Sequence, residues 1–228
     1  MSNAMSAMSR EEREELRGIN AQGKKPLVLL LFCKTKNMGQ PWADAGFEVW
    51  CVDIQHQPGV NRDGNFVFVG ADMRDWVPPK DINDLVRFVA AFPPCDDLAN
   101  SGNRWKAAKG LSKLRDAIGL FDRAVFWCEW FGVPYMIENP VSSISTYWRK
   151  PDHTFHPWHF SGLFAGDTYN KKTCLWVGGG FAMPAPCHPD DVVPDDRIWR
   201  AAPGDGRADF RSETPRGFAI AVFRANRR

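Results

Sequence analysis

The run Pro26-Leu-Val-Leu-Leu-Leu-Phe32 is apolar without a break. An unbroken apolar run of this length is typical of a strand that is covered on both faces, as in a parallel sheet. A helix-sized gap separates it from the next apolar segment, Phe47–Asp53, and strand-like and helix-like segments continue to alternate along the chain. This alternation predicts an α/β fold with a doubly wound, mostly parallel sheet and helices on both faces.

Three further strands and two helices are predicted from the apolar pattern. The strand candidates are Asn65–Val69, Val86–Phe92 and Val133–Ile137. Leu111–Phe131 is the clearest helix, because its apolar side chains recur at steps of three and four residues and form one buried stripe. Phe218–Ala225 is the second helix, and it is apolar enough to return to the sheet.

The character of the chain changes along its length, and four stretches are predicted. Residues 1–25 hold a tag-like start, Met1–Ala4, and a short charged helix, and residues 26–140 form a Rossmann-like catalytic core. Residues 141–210 are rich in proline and histidine and contain one strand candidate, Thr173–Val177, so they are interpreted as an irregular insertion. Residues 211–228 carry the helix that returns to the core.

Composition excludes several classes of protein. With 44% hydrophobic residues, 10 Trp and 16 Phe, the chain is too apolar to be disordered. No apolar run approaches the ~18 residues of a membrane-spanning helix. The net charge of +2 excludes a polybasic tail and permits a local basic face. Six cysteines without a CxxC pair or a secretion signal predict free thiols and a cytoplasmic location.

Polar residues collect where the predicted strands end, and in an open α/β sheet ligands bind at the carboxyl ends of the strands. Asp53 and Asp72 close the second and third strands. A carboxylate at either position suits a pair of ribose hydroxyls or an adenine amine. These strand ends therefore predict a nucleotide-like ligand.

Cys95 follows two prolines at the end of the fourth strand, a turn that presents a thiol at the mouth of a site. A nucleophilic cysteine needs nearby positive charge to favour its thiolate, and Asp96 and Asp97 act in the opposite direction. Glu138 ends the fifth strand, where partial desolvation suits a group that holds or passes a proton. Basic residues that could supply positive charge or contact a phosphate backbone follow closely: Arg104, Lys106 and Lys109.

The order of these motifs resembles that of the cytosine-C5 DNA methyltransferases, particularly the short versions carried by phages and prophages. The resemblance covers residues 26–140 and 211–226 and implies a Rossmann-like class I methyltransferase fold in a bacterial or phage-infected cell. The matching motifs are the first strand with Phe32, then Val52-Asp53-Ile54, Gly70-Ala-Asp72, Phe92-Pro-Pro-Cys95, Ile137-Glu-Asn-Pro140 and Ser212-Glu-Thr-Pro215.

The resemblance implies a covalent mechanism on a base that is flipped out of the DNA stack. Cys95 would attack cytosine C6, and Glu138 would hydrogen-bond N3 and the exocyclic amine. The activated C5 would take a methyl group from S-adenosylmethionine, and elimination would release the enzyme. Asn139 shares the motif of Glu138, and Arg149 is the best substitute for the arginine of the family's Gln-x-Arg-x-Arg motif, which is missing here.

The resemblance also implies two sets of binding residues. The cofactor site would comprise Phe32, Cys33, Lys34, Asp53, Ile54, Asp72, Met73 and Pro93. The phosphate contacts to DNA would come from Arg104, Lys106, Lys109, Lys171 and Lys172. No metal site is predicted: His153, His156 and His159 are spaced like possible zinc ligands, but without paired ligands such as CxxC they suit a packed loop better.

Two departures from the family leave alternatives open. Lys34, Lys36 and Asn37 stand where the family has glycines that meet the cofactor. The region after residue 140 is also short, which suits weak sequence specificity, recognition supplied by a partner, or a substrate other than duplex DNA, including single-stranded DNA. The first alternative is a pyrimidine-modifying enzyme with another one-carbon donor or a nucleotide substrate. The second is a catalytically silent nucleic-acid-binding relative.

Overall fold

The computed structural model describes residues 25–99, 103–200 and 211–227, with the backbone alone at 103–107 and 199. The predicted tag and short N-terminal helix lie outside these residues, as does the end of the predicted insertion, 201–210. Seven strands form one sheet: β1 (Leu27–Leu31), β2 (Glu48–Asp63), β3 (Phe66–Gly70), β4 (Val86–Ala91), β5 (Tyr135–Pro140), β6 (His153–Phe155) and β7 (Thr173–Gly178).

The strand order is β3-β2-β1-β4-β5-β7-β6. The pairs from β3 through β5 are parallel, whereas β7 runs antiparallel to both β5 and β6. This mostly parallel sheet with helices on its faces confirms the predicted Rossmann-like α/β fold. The helices are α1 (Gln40–Asp44), α2 (Asn103–Trp130), α3 (Ile144–Tyr147), α4 (Arg197–Arg200) and α5 (Arg216–Asn226).

Strand β1 is buried on both faces, as its apolar run predicts. Leu29 and Leu31 pack in the core that includes α2, whereas Val28 and Leu30 pack in the core that includes α1 and α5. Successive side chains of a strand point to opposite faces, so a strand between two helical layers needs apolar residues at every position. The run at 26–32 therefore places β1 at the centre of the molecule.

Helix α2 consists of two segments that meet at Gly110. The backbone of Gly110 has φ 81° and ψ 168°, which is not helical. The second segment begins at Leu111, where the apolar periodicity begins, and its Phe121, Ala124 and Cys128 are buried against the sheet. The predicted helix is confirmed, and the segment before Gly110 continues from the loop that carries Cys95.

Strand β2 is long and folds back on itself before β3 begins. The first part of β2, to Asp53, lies parallel to β3, and the chain then crosses the end of β3 and returns along its other side. The crossing is close, since a Cβ on Gly70 would lie 2.1 Å from the carbonyl oxygen of Gln57. The returning part, 58–63, is exposed and polar, which explains why no strand was predicted there.

Residues 141–210 contribute two strands to the sheet, β6 and β7, whereas the sequence predicted an irregular insertion with one strand. Strand β7 lies beside β5, and its Leu175 and Trp176 are buried. Phe155 of β6 stacks on Phe218 of α5 with ring centroids 3.9 Å apart. This part of the chain therefore packs in the same core as the first strands, and β6 is too short for its alternation to be recognised in the sequence.

Candidate active site

The polar residues predicted at the strand ends meet along one edge of the sheet, formed by the carboxyl ends of β1, β2, β4 and β5. Ala91 near the end of β4 pairs with Ile137 of β5, which brings the Cys95 loop next to Glu138. Because β7 is antiparallel, its first residue, Thr173, also lies at this edge, opposite Pro140. Lys171, two residues before β7, thereby reaches the same place.

Asn139 fixes the loop that carries Cys95. Its side-chain amide donates to the carbonyl oxygen of Pro93 over 2.9 Å, and the side chain is buried. Beyond Pro94, the carbonyl oxygen of Cys95 accepts hydrogen bonds from the amides of Leu98 and Ala99 at 3.0 and 2.8 Å. Cys95 thus begins one tight helical turn. The backbone oxygens of Pro93 and Cys95 accept hydrogen bonds that hold the loop on both sides of Pro94.

The environment of Cys95 favours the neutral thiol. Burial, followed by the carboxylates of Asp96 and Glu138, raises the pKa of Cys95 to about 11. Lys171 acts against these effects and lowers the pKa. Lys109 does not supply the predicted activating charge in this arrangement, because its ammonium pairs with Asp97 over 2.5 Å. A nucleophilic role for Cys95 therefore requires a cation close to the thiol.

Glu138 and Lys171 face each other in a mostly buried environment. Their Oε1 and Nζ atoms are 3.9 Å apart, and the side chains are 14% and 13% exposed. Burial raises the pKa of Glu138, and Lys171 opposes that rise. Lys171 Nζ also donates to the backbone oxygen of Glu213 over 3.3 Å. Burial thus favours the protonated acid of Glu138, whereas Lys171 favours its carboxylate.

The residues predicted to bind a cofactor lie at the ends of β1 and β2. Phe32 has φ 54°, the one positive φ of a non-glycine residue in the described parts of the chain, and this left-handed conformation is disfavoured for an aromatic residue. Cys33 is buried, and His56 donates from Nε2 to its carbonyl oxygen over 2.9 Å. Asp53 is buried, whereas Ile54 is 64% exposed. The ends of β1 and β2 therefore provide one buried carboxylate, that of Asp53, and one exposed apolar side chain, that of Ile54.

Asp72 is placed at the end of β3 as predicted, but its carboxylate is already engaged. Arg74 pairs with it through two nitrogens and also donates its backbone amide, which lowers the pKa of Asp72. Met73 and Pro93 are buried and contribute apolar surface near the strand ends. The Asp53 carboxylate likewise accepts a backbone hydrogen bond, from Gln55 over 2.7 Å, but unlike Asp72 it has no arginine paired with it among the described residues.

The loop after Phe32 is tied to its neighbours by two of its polar side chains, Lys36 and Asn37. Lys36 pairs with Asp63 over 2.5 Å. Asn37 donates to the carboxylate of Glu213 over 2.7 Å and to the backbone oxygen of Thr214 over 3.1 Å. Lys34 is exposed. Lys36 and Asn37 are therefore fixed to flanking elements.

Arg149 does not join the cluster formed by Cys95, Glu138, Lys171 and Glu213. Its guanidinium pairs with Asp152 over 2.5 Å and donates to the carbonyl oxygen of Val177. Val177 pairs with Met136 near the start of β5, whereas Glu138 pairs with Leu175 farther along. Arg149 therefore lies towards the amino end of β5, and the structure does not bring it to the position predicted for a catalytic arginine.

The predicted phosphate contacts separate into three groups. The side chains of Arg104 and Lys106 lie outside the described part of the chain. Lys109 and Lys172 are exposed, and Lys109 is paired with Asp97. Lys171 differs from the prediction, since it packs beside Glu138 instead of projecting from the surface.

Two residues of the cluster were not found by sequence reasoning in the places they occupy. Lys171 was assigned to a surface contact, and Glu213 was noted only as part of the closing motif. The useful signal was the position of Lys171 shortly before a strand, but the sequence does not show that this strand lies beside β5.

Among the described residues, no group of three or more His, Cys, Asp or Glu is arranged to hold a metal ion. No described helix combines the length and apolar character that crossing a membrane requires.

Comparison with known proteins gives little beyond the fold. No family model and no curated protein matches the chain. One solved structure that resembles it is the glycopeptide N-methyltransferase MtfA complexed with sinefungin, at 16% sequence identity and a TM-score of 0.26, covering 74% of this chain and 68% of that one. A likeness at this score does not bear on function, and the fold assignment rests on the strand order of the sheet itself.

Proposed function

We propose that this chain is a methyltransferase that transfers a methyl group from S-adenosylmethionine to cytosine C5 in DNA through a covalent adduct at Cys95. The observation that carries the proposal is the juxtaposition of a thiol and a carboxyl group at the ends of adjacent parallel strands. Cys95 follows β4, Glu138 lies in β5, and the two act on each other electrostatically. Addition to a pyrimidine needs both a nucleophile and a group that handles a proton on the ring.

The residues at the ends of β1 and β2 fit a nucleoside cofactor. Asp53 offers a buried carboxylate for ribose hydroxyls, and the exposed face of Ile54 suits a base. Lys36 and Asn37, two of the three residues at positions where the resembled family has glycines, are held by Asp63 and Glu213. S-adenosylmethionine supplies an electrophilic methyl group when bound.

The chain's own residues perform the other steps. The Cys95 thiolate adds to C6 of the cytosine, and electron density shifts towards C5 and N3. Glu138, protonated or hydrogen-bonded at N3, stabilises that charge, and its raised pKa suits this role at neutral pH. After C5 has been methylated and has lost its proton to a base, the bond from Cys95 to C6 breaks and the free thiolate returns. Asn139 keeps the loop of Cys95 in place throughout by its bond to Pro93.

DNA is the proposed substrate, either single-stranded or bound with little sequence specificity. The exposed Lys172 and Lys109 are candidates for phosphate contacts, together with Arg104 and Lys106. Exposed aromatic side chains are candidates for stacking on an unpaired base, such as Trp148, which is 41% exposed and lies under the guanidinium of Arg149.

Adduct formation tests the nucleophile. A DNA oligonucleotide with 5-fluorocytosine, incubated with the protein and S-adenosylmethionine, is expected to give a covalent complex that resists denaturation, because fluorine cannot leave as the proton does. C95S is expected to abolish the complex. C187S, which changes an exposed cysteine, is the matched control and should form it normally. A complex that persists in C95S would show that another residue is the nucleophile.

Calorimetry with S-adenosylmethionine tests the cofactor. We expect binding that is weakened about tenfold or more in D53A, since a buried carboxylate hydrogen-bonded to ribose is worth about 1.5–3 kcal/mol. D44A, which changes an exposed carboxylate on α1, is the control. No heat of binding at millimolar ligand would reject this cofactor. The engagement of Asp72 by Arg74 favours one alternative, a pyrimidine-modifying enzyme with another one-carbon donor or a nucleotide substrate, and titration with cytidine and uridine monophosphates tests the nucleotide substrate.

A further inference from the structure

We propose that Lys171 is a positioning residue that favours the reactive thiolate of Cys95 beside Glu138, a role that rests on the function proposed above. The geometry of the cluster carries this inference. The Lys171 ammonium lies 3.9 Å from the Glu138 carboxylate, and both side chains are mostly buried. Arg149 lies elsewhere and pairs with Asp152, so it does not supply this charge.

A buried carboxylate is unfavourable unless a cation or hydrogen bonds accompany it. The groups that act on Cys95 are Asp96 and Glu138, which are anionic, and Lys171. For Glu138 the charged neighbour is again Lys171. Among the described residues, Lys171 is therefore a cation that acts on both groups, and its loss would favour the neutral thiol of Cys95.

The other titratable groups that the structure describes around the pair do not replace this charge. Glu138 raises the pKa values of Tyr169 and Cys174, which places both near it, and neither carries positive charge. Tyr169 is buried, which further raises its pKa, so it stays a neutral phenol. Lys172 is exposed, and it acts on Cys174 and His156 on the neighbouring strands.

The position of Lys171 is fixed from the opposite side of the site. Its Nζ donates to the backbone oxygen of Glu213, whose carboxylate accepts a hydrogen bond from Asn37. Asn37 belongs to the loop that follows β1, which is the proposed cofactor loop. Lys171 is thus held between Glu213 and the strand that carries Glu138. Its ammonium is kept beside Glu138 by contacts that involve the loop of Asn37, the segment of Glu213 and β5.

The test measures the alkylation of Cys95 by iodoacetamide between pH 7 and 10, with neither DNA nor cofactor present. Peptide-level mass spectrometry separates Cys95 from the exposed Cys187. In K171M we expect the rate at pH 8 to fall about tenfold, because loss of one nearby charge shifts a pKa by about one unit. K171R keeps the charge and should remain within about twofold of the wild type.

Two further variants make the result specific. K172M removes the neighbouring exposed lysine and should leave the alkylation profile of Cys95 unchanged, whereas E138Q removes an anion and should increase the rate. If K171M fails to fold, E138Q and the double variant E138Q/K171M are compared, and the double variant should react more slowly. A K171M profile that coincides with those of the wild type and K172M overturns the proposal. Since this assay contains no substrate, its outcome is separate from that of the adduct and calorimetry experiments.

Discussion

The side-chain amide of Asn139 on β5 donates to the carbonyl oxygen of Pro93 after β4, across 2.9 Å and in a buried position. This hydrogen bond joins the motif that carries Glu138 to the loop that carries Cys95. It sets the distance between the two groups on which the proposed chemistry depends, without involving either side chain. Its removal should therefore affect stability and the reactivity of Cys95 together.

We expect N139A to lower the free energy of unfolding by about 1–3 kcal/mol, because the carbonyl oxygen of Pro93 would be left buried without its donor. Urea denaturation at neutral pH measures the change. N61A is the control, since Asn61 is exposed and donates only a long bond to Gln57 at 3.4 Å, and a change within about 0.5 kcal/mol is expected there. Equal stability of N139A and the wild type would contradict the role of this bond.

The raised pKa of Asp167 predicts that the free energy of unfolding depends on pH. Burial raises the pKa of Asp167 to about 6, although its carboxylate accepts a hydrogen bond from Gly217 at the start of α5. The folded chain thus binds this proton more tightly than the unfolded chain does. The contribution is fully present below about pH 4 and is lost as pH rises to about 6.

D167N is the comparison that isolates this effect, because an asparagine oxygen can still accept the hydrogen bond of Gly217. The difference in unfolding free energy between the wild type and D167N should change by up to about 3 kcal/mol from pH 4 to pH 7, in favour of the variant at the higher pH. Denaturation curves at both pH values measure it. A constant difference would contradict the raised pKa.

Gly217 is predicted to tolerate no side chain. A Cβ at this position would lie 2.3 Å from the backbone oxygen of Phe160, on the segment between β6 and β7. G217A should therefore lower stability by about 3 kcal/mol through displacement of α5. G119A is the matched control in a helix, where nothing lies within 4 Å of a new Cβ, and it should increase stability by up to about 1 kcal/mol. Thermal unfolding of both variants measures the contrast.

Arg74 is predicted to compete with a ligand for Asp72. Removing its guanidinium in R74A frees Oδ2 of the carboxylate, while the backbone amide of residue 74 still donates to Oδ1, so binding of S-adenosylmethionine should tighten, by about two- to fivefold for an exposed pair. R115A also breaks an exposed ion pair, that of Asp116, and should leave binding unchanged. Calorimetry measures both, and weaker binding in R74A would mean that the arginine itself contacts the cofactor.

Several features followed from local sequence patterns. The apolar runs at 26–32 and 86–92 predicted β1 and β4, and the periodicity from Leu111 predicted the second segment of α2. The positions of Cys95 and Glu138 at strand ends also followed, because in a parallel sheet the strand ends share one edge. Burial patterns of this kind extend over only a few consecutive residues, so they can be recognised without knowledge of contacts between distant segments.

Other features depended on contacts between distant segments. Strand β7 lies between β5 and β6 in the sheet, and this order places Lys171, and not Arg149, next to Glu138. The crossing of β3 by the segment around Gln57 and the link from Asn37 to Glu213 are likewise invisible in the local pattern. The amino-acid sequence by itself determined the alternating α/β core and its thiol and carboxyl groups, since these arise from local hydrophobic pattern. The tertiary structure decided which cation lies beside these groups. Lys171 approaches Glu138, 33 residues earlier in the sequence, only through the packing of β6 and β7 in the sheet.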